Sequence, residues 1–162
     1  RQMCIRDSVD AARIDKLYQR PTPQIQELLA ARTAGQINAN TVITGASDLV
    51  GQNGTPEWRW SGTLTWKKGN FSADWFASYV GSFYNTGLTY SATGEFYDVP
   101  STTFHNAAIN YAFDDGRLAG TRLRVGARNI FDKDPPLTPG GYTGSVYNPY
   151  ARYWYFNIRK TF

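Results

Sequence analysis

Residues 121–162 read TRLRVGARNIFDKDPPLTPGGYTGSVYNPYARYWYFNIRKTF. An alternating stretch, a turn-rich stretch and a second alternating stretch follow one another. Between Thr121 and Phe131 the odd positions include Leu123, Val125 and Ala127, and the even ones Arg122, Arg124 and Arg128. A β-strand turns successive side chains to opposite faces, so one face suits hydrocarbon and the other suits water. That division, kept over about ten residues, is the pattern of a transmembrane β-barrel strand.

The same period recurs on both sides of this stretch. Over 150–162, Trp154, Phe156, Ile158 and Phe162 share a face. Over 101–113, His105, Ala107, Ile109, Tyr111 and Phe113 oppose Asn106, Ala108 and Asn110. Over 71–83, Phe71, Ala73, Trp75, Ala77, Tyr79 and Phe83 oppose Ser72, Asp74, Ser78 and Ser82. Over 57–67, Trp58, Trp60, Leu64 and Trp66 oppose Arg59, Ser61, Thr63, Thr65 and Lys67. The predicted architecture is all-β: an antiparallel up-and-down meander, open at both edges, cut from a transmembrane barrel. Its connections alternate short (68–70, 114–120) and long (84–100, 132–149). Bacterial barrels keep short turns in the periplasm and long loops outside. This orients the chain and sets Trp66, Phe71, Phe113 and Phe162 at the periplasmic rim, where an aromatic girdle belongs.

Composition agrees. All 5 tryptophans fall inside these strands and all 8 prolines fall outside them, as the missing N–H of proline requires. The mean hydropathy of −0.47 does not oppose a membrane location, because every second barrel residue can be polar. No apolar run approaches the roughly 18 residues of a membrane helix. A soluble β-sandwich also alternates, but globular strands usually run about five or six residues, shorter than these.

The rest of the chain is less patterned. Arg1–Ser8 has no signal-peptide plan; it reads as translated adapter or vector sequence joined to an open-ended fragment, outside the fold. Residues 9–56 are weakly patterned. Pro23–Arg32 is a predicted short helix, capped by Thr22, with Ile25, Leu28 and Leu29 on one face. Gln36–Ile43 is a candidate strand, and Asp48–Pro56 a loop. The third segment, 57–162, holds five strands.

The net charge of +4 comes without a basic run or an aromatic-basic platform, so nucleic acid is not an expected partner. With 1 Cys, Cys4, and 1 His, His105, neither an internal disulfide nor a zinc-type ligand cluster can form. His105 lies on an apolar face, which leaves no nucleophile–histidine–acid set. Asp114-Asp115 is a turn pair. No enzymatic activity, metal or cofactor is expected.

Two segments carry a family resemblance. Asn129-Ile130-Phe131-Asp132-Lys133-Asp134-Pro135-Pro136 resembles the NLFDKxPP-type motif before the last loop of TonB-dependent outer-membrane receptors. Tyr147-Asn148-Pro149-Tyr150-Ala151-Arg152-Tyr153 resembles the segment opening their final strand, with Ala151 where Gly is usual. Phe162 matches their terminal aromatic residue, read by the barrel-assembly machinery. Glu57-Trp58-Arg59 after Pro56 resembles the start of an earlier strand. The likeness covers about residues 56–162.

The resemblance implies the carboxy-terminal part of a 22-stranded barrel, plugged by an amino-terminal domain, in the bacterial outer membrane. Such receptors import scarce substrates, such as siderophores, cobalamin or glycans, with energy delivered by TonB. The plug and the TonB-contacting segment would precede this chain. A passive porin-type barrel and a soluble carbohydrate-binding sandwich are the rival readings. On the expected outer face Tyr90, Tyr142 and Tyr147 are candidate ligand contacts. Arg122, Arg124 and Arg128 form a water-facing ladder, open to an anionic substrate, to acidic plug residues or to neighbours such as Asp74.

Overall fold

The computed structural model describes residues 3–41 and 43–161. In chain order the elements are β1 (Met3–Arg13), α1 (Pro23–Thr33), β2 (Trp58–Lys68), β3 (Phe71–Val80), β4 (Phe83–Thr89), β5 (Phe96–Val99), β6 (Thr102–Phe113), β7 (Thr121–Arg128), β8 (Leu137–Thr138), β9 (Gly141–Tyr142) and β10 (Tyr153–Lys160). Six of the strands make one antiparallel sheet in the order β1-β2-β3-β6-β7-β10. The other four form two local hairpins, β4–β5 and β8–β9. With those set aside, every strand pairs with its predecessor in the chain. The fold is the expected antiparallel meander, and its sheet is not closed: β1 and β10 are edges.

Register sorts the side chains into two faces, because directly opposed residues in an antiparallel pair point the same way. One mid-height row runs Leu64, Trp75, Ala107, Ala127 and Trp154, and the next runs Trp66, Ala73, Ile109, Val125 and Phe156. The opposite face has the rows Thr65, Asp74, Ala108, Gly126, Tyr155 and Lys67, Ser72, Asn110, Arg124, Asn157. Nothing among the described residues covers the apolar face: Trp154 is 71% exposed, Ile109 51% and Trp75 44%. Rings stand at mid-height, in Trp75 and Trp154, and also towards its two ends. Trp60 stacks on Tyr79 at one, while Trp66 meets Phe71 and Tyr111 meets Phe113 edge-on at the other. The Trp75 indole donates to His105 Nδ1 at 3.1 Å, and Phe131 packs edge-on against His105.

Several expectations need correction. Residues 1–8 are not wholly outside the fold, because Met3–Ser8 belong to β1, paired along its length with β2. The sheet therefore has six strands instead of five. Gln36–Ile43 forms no strand among its described residues. Asn38 closes a turn there, its side chain accepting from the Asn40 amide at 2.9 Å and its carbonyl from the Thr41 amide at 2.9 Å; local asparagine hydrogen bonds compete with extended structure. The stretch 71–83 leaves the sheet after Val80. The Gly81 amide donates to the Trp58 carbonyl at 2.9 Å, and a Cβ there would touch that oxygen. The loop 84–100 holds the β4–β5 hairpin. Strand 121–131 ends at Arg128, where Asn129 turns left-handed with φ 50°. The helix forms as expected, with the Thr22 hydroxyl accepting from the Ile25 amide at 3.5 Å. Ile25 and Leu29 are half-buried, but Leu28 is exposed. Phe162 lies outside the described residues.

Candidate functional site: the polar face and its loop-bearing rim

Three long connections, 14–57, 81–101 and 129–152, leave the sheet at one rim; two short ones, at 69–70 and 114–120, leave at the other. The long segments are tied together. Tyr84 donates its amide to the Gly51 carbonyl and accepts from the Asn53 amide, both at 2.8 Å. The Asn53 side chain donates to Thr86 Oγ1 at 2.7 Å and accepts from the Thr86 amide at 2.9 Å. Beside these ties lies a buried cluster of Phe83, Val99 and Tyr147, packed by Val80, Tyr97, Phe104 and Val146.

A cavity of about 220 Å³ opens beside this cluster on the polar face, lined by Ser78, Asn106, Arg128, Tyr147, Tyr150 and Tyr153 among others. Its wall mixes aromatic faces with amide and guanidinium donors, the composition of a site for a polar ligand. Arg128 lies over the Tyr153 ring at 5.7 Å. The three candidate tyrosines separate. Tyr147 is 3% exposed and its hydroxyl has no hydrogen-bond partner among the described residues, so its main role is packing, with one edge in the cavity wall. Burial pushes its phenol above the usual tyrosine value, and Arg59 opposes the shift in part. Tyr90 is exposed and stacks on Tyr97, and exposed Tyr142 lies on β9; neither lines this cavity.

The arginine ladder also separates. Arg124 ion-pairs with Asp74 at 3.3 Å and donates to Asn110 Oδ1 at 3.2 Å and the Tyr155 hydroxyl at 3.4 Å. Asp74 also accepts from Thr65 Oγ1 at 3.0 Å and from Asn110 Nδ2 at 2.9 Å. Arg124 is thus the member that finds the acidic neighbour. Arg128 belongs to the cavity, and Arg122 stands opposite Arg159 at the short-turn rim.

The residues of the first resembling motif build a clasp. The Asn129 side chain donates to the Lys133 carbonyl at 2.8 Å and accepts from the Lys133 amide at 2.9 Å. Its own amide donates to Asn106 Oδ1 at 3.0 Å. Asp132, also left-handed at φ 54°, accepts from the Arg152 amide at 2.6 Å, and Arg152 donates to the Ile130 carbonyl at 3.3 Å. Both motifs therefore meet at one junction, where the last long loop leaves and rejoins the sheet. Phe131 points out on the apolar side, 62% exposed, and Pro135 is half-buried. Asn106 and Val99 serve this rim without having stood out in the sequence, Asn106 being visible only as a polar position in an alternating strand; Phe83, which the alternation put on the apolar face of 71–83, is buried in the rim cluster instead.

No group of three or more His, Cys, Asp or Glu side chains able to hold a metal occurs among the described residues. Comparisons with family models, with curated proteins and with solved structures find no match to this chain.

Proposed function

We propose that the chain is the carboxy-terminal barrel segment of a TonB-dependent outer-membrane receptor that imports a scarce substrate. The observation that carries this reading is the apolar sheet face, on which the described residues place no second layer. From β2 to β10, four strand spacings of about 4.8 Å and a height of about 25 Å give it roughly 480 Å² of projected area. Soluble monomers rarely expose contiguous apolar patches beyond a few hundred Å². Hydrocarbon is the environment that matches such a face, with aliphatic and aromatic side chains along it and a polar face behind it. The clasp joining the two resembling motifs, Asp132 to Arg152, adds support for the receptor family in particular.

On this reading lipid covers the apolar face and the assembly machinery reads the last strand at Phe162. TonB acts through a segment upstream of this chain. A siderophore, cobalamin or glycan is bound at the long-loop rim, with Tyr90, Tyr142 and the cavity beside Tyr147 among the contacts. The test is uptake in cells carrying the full-length protein. A panel of these substrate classes should include one that accumulates only when TonB is present. Passage of small solutes at the same rate with or without TonB would make the protein a passive porin instead.

A further inference from the structure

At the short-turn rim the polar face carries a cluster of positive charge that no ion pair among the described residues balances. Arg122 and Arg159 are directly opposite each other across β7 and β10. Like charges so placed destabilise a strand pair. Arg124, on the same face two residues along β7, is held by Asp74. Lys67 lines the same groove of about 590 Å³. Neither Lys67 nor Arg122 nor Arg159 forms an ion pair or side-chain hydrogen bond among the described residues. Asp114 also lines the groove but is not within ion-pairing distance of any of them.

We infer that Arg122 and Arg159 form a binding site for an oxyanion, a carboxylate or phosphate group, at the short-turn mouth of the polar face, with Lys67 on the far wall of the same groove. The planar guanidinium forks suit two-point hydrogen bonding to such a group. A bound anion also turns the unfavourable arginine pair into a bridged one. The site is separate from the loop-rim cavity, which lies at the other end of the strands. It rests on the barrel reading, which turns this face towards water inside the barrel. A small solute and an acidic polypeptide segment can both carry the anion; the chemistry recognised is the same.

The test uses the complete polypeptide refolded in detergent, where faster gel migration of the unheated sample independently reports barrel formation. Thermal midpoints are measured with inorganic phosphate, with a hexaglutamate peptide and with chloride at equal ionic strength. Phosphate or the peptide should raise the midpoint saturably where chloride does not. Arg122→Gln and Arg159→Gln should each weaken that binding at least tenfold while raising the anion-free midpoint. Arg117→Gln, in the adjoining turn, should change neither. Peptide binding at least tenfold tighter than phosphate assigns the anion to a polypeptide, and the reverse assigns it to a solute. If neither anion outdoes chloride in a barrel that has formed, or if the glutamine variants lower the anion-free midpoint, the site is refuted. A polypeptide that never gives the fast-migrating form refutes the barrel reading, and this site with it.

Discussion

Gly126 has no side chain because the Tyr155 ring lies across the place where one would stand. That ring covers the bare backbone of the neighbouring strand, a recognised way of rescuing a glycine in a sheet, and its hydroxyl meets Arg124. Gly62 faces the other side, where an added Cβ would find ordinary contacts at 3.6 and 3.7 Å. A methyl group should therefore act with opposite signs at the two sites. Gly126→Ala should destabilise the folded protein by about 1 kcal/mol through displacement of the ring. Gly62→Ala should stabilise it by about 0.5 kcal/mol through lost chain entropy. Urea titrations of the two variants of the full-length protein in lipid vesicles would measure both. Tyr147 gives a second expectation. Its raised folded-state pKa means that its contribution is complete below the ordinary tyrosine value of about 10. The contribution is lost as pH rises through the folded value. Proteolysis of the loops followed from about pH 7 to pH 11 should show the rim loosening only at the alkaline end. Tyr147→Phe should abolish that loosening and cost no stability at neutral pH, because the hydroxyl has no partner. Loosening unchanged in the phenylalanine variant would place its cause elsewhere.

At the scale of elements, the strands with unbroken alternation were legible and those whose ends depend on tertiary contacts were not. β2, β6 and β7 begin within one residue of where the period-2 pattern puts them. In 71–83 the alternation runs on to Phe83, yet the strand stops because the Gly81 backbone lies against Trp58. No local pattern encodes that approach. β1 was concealed for another reason. Met3, Ile5, Val9 and Ala11 do alternate, but Asp7 interrupts them and stands opposite Leu64 at mid-height on the apolar face. A carboxylate there is ill suited to a lipid-facing surface, and it falls in the stretch read from the sequence as lying outside the fold. The site was legible in part. Arg124 and Asp74 have the right charges, but their meeting needs the registers β3–β6 and β6–β7 together. The burial of Tyr147 needs long loops far apart in the chain to converge, which is why a tyrosine in a loop reads as a ligand contact and proves to be largely packing. The motif around Asn129 was legible as a motif, whereas its action as a backbone clasp required the left-handed turns at Asn129 and Asp132.

At the scale of the whole molecule, two unpaired edges and one bare apolar face leave a sheet that is unfinished in water and in lipid alike. If the chain is a barrel segment, further strands and a bilayer complete it. The gathering of all the long connections at one rim then sets the orientation. Gly141 and Gly116 hold φ of 100° and 71°, which a cysteine would strain, so the loop and the turn are probed by single cysteines at the adjacent Gly140 and Asp115. In intact cells an impermeant thiol reagent should label Gly140→Cys and spare Asp115→Cys; the opposite pattern would invert the topology and move the ligand contacts to the short turns. The central claim, that the apolar face meets hydrocarbon, is tested most directly by two adjacent residues of β2. Leu64 is exposed on the apolar face and Thr63 is half-buried on the polar one. Arginine near the bilayer midplane costs about 2–4 kcal/mol on a lipid-facing site and much less on the water-facing side. The measurement is the folding free energy of Leu64→Arg and Thr63→Arg in the full-length protein in lipid vesicles. A loss of about that size for the first with little change for the second is expected. Equal losses, or the larger one at Thr63, would contradict the claim.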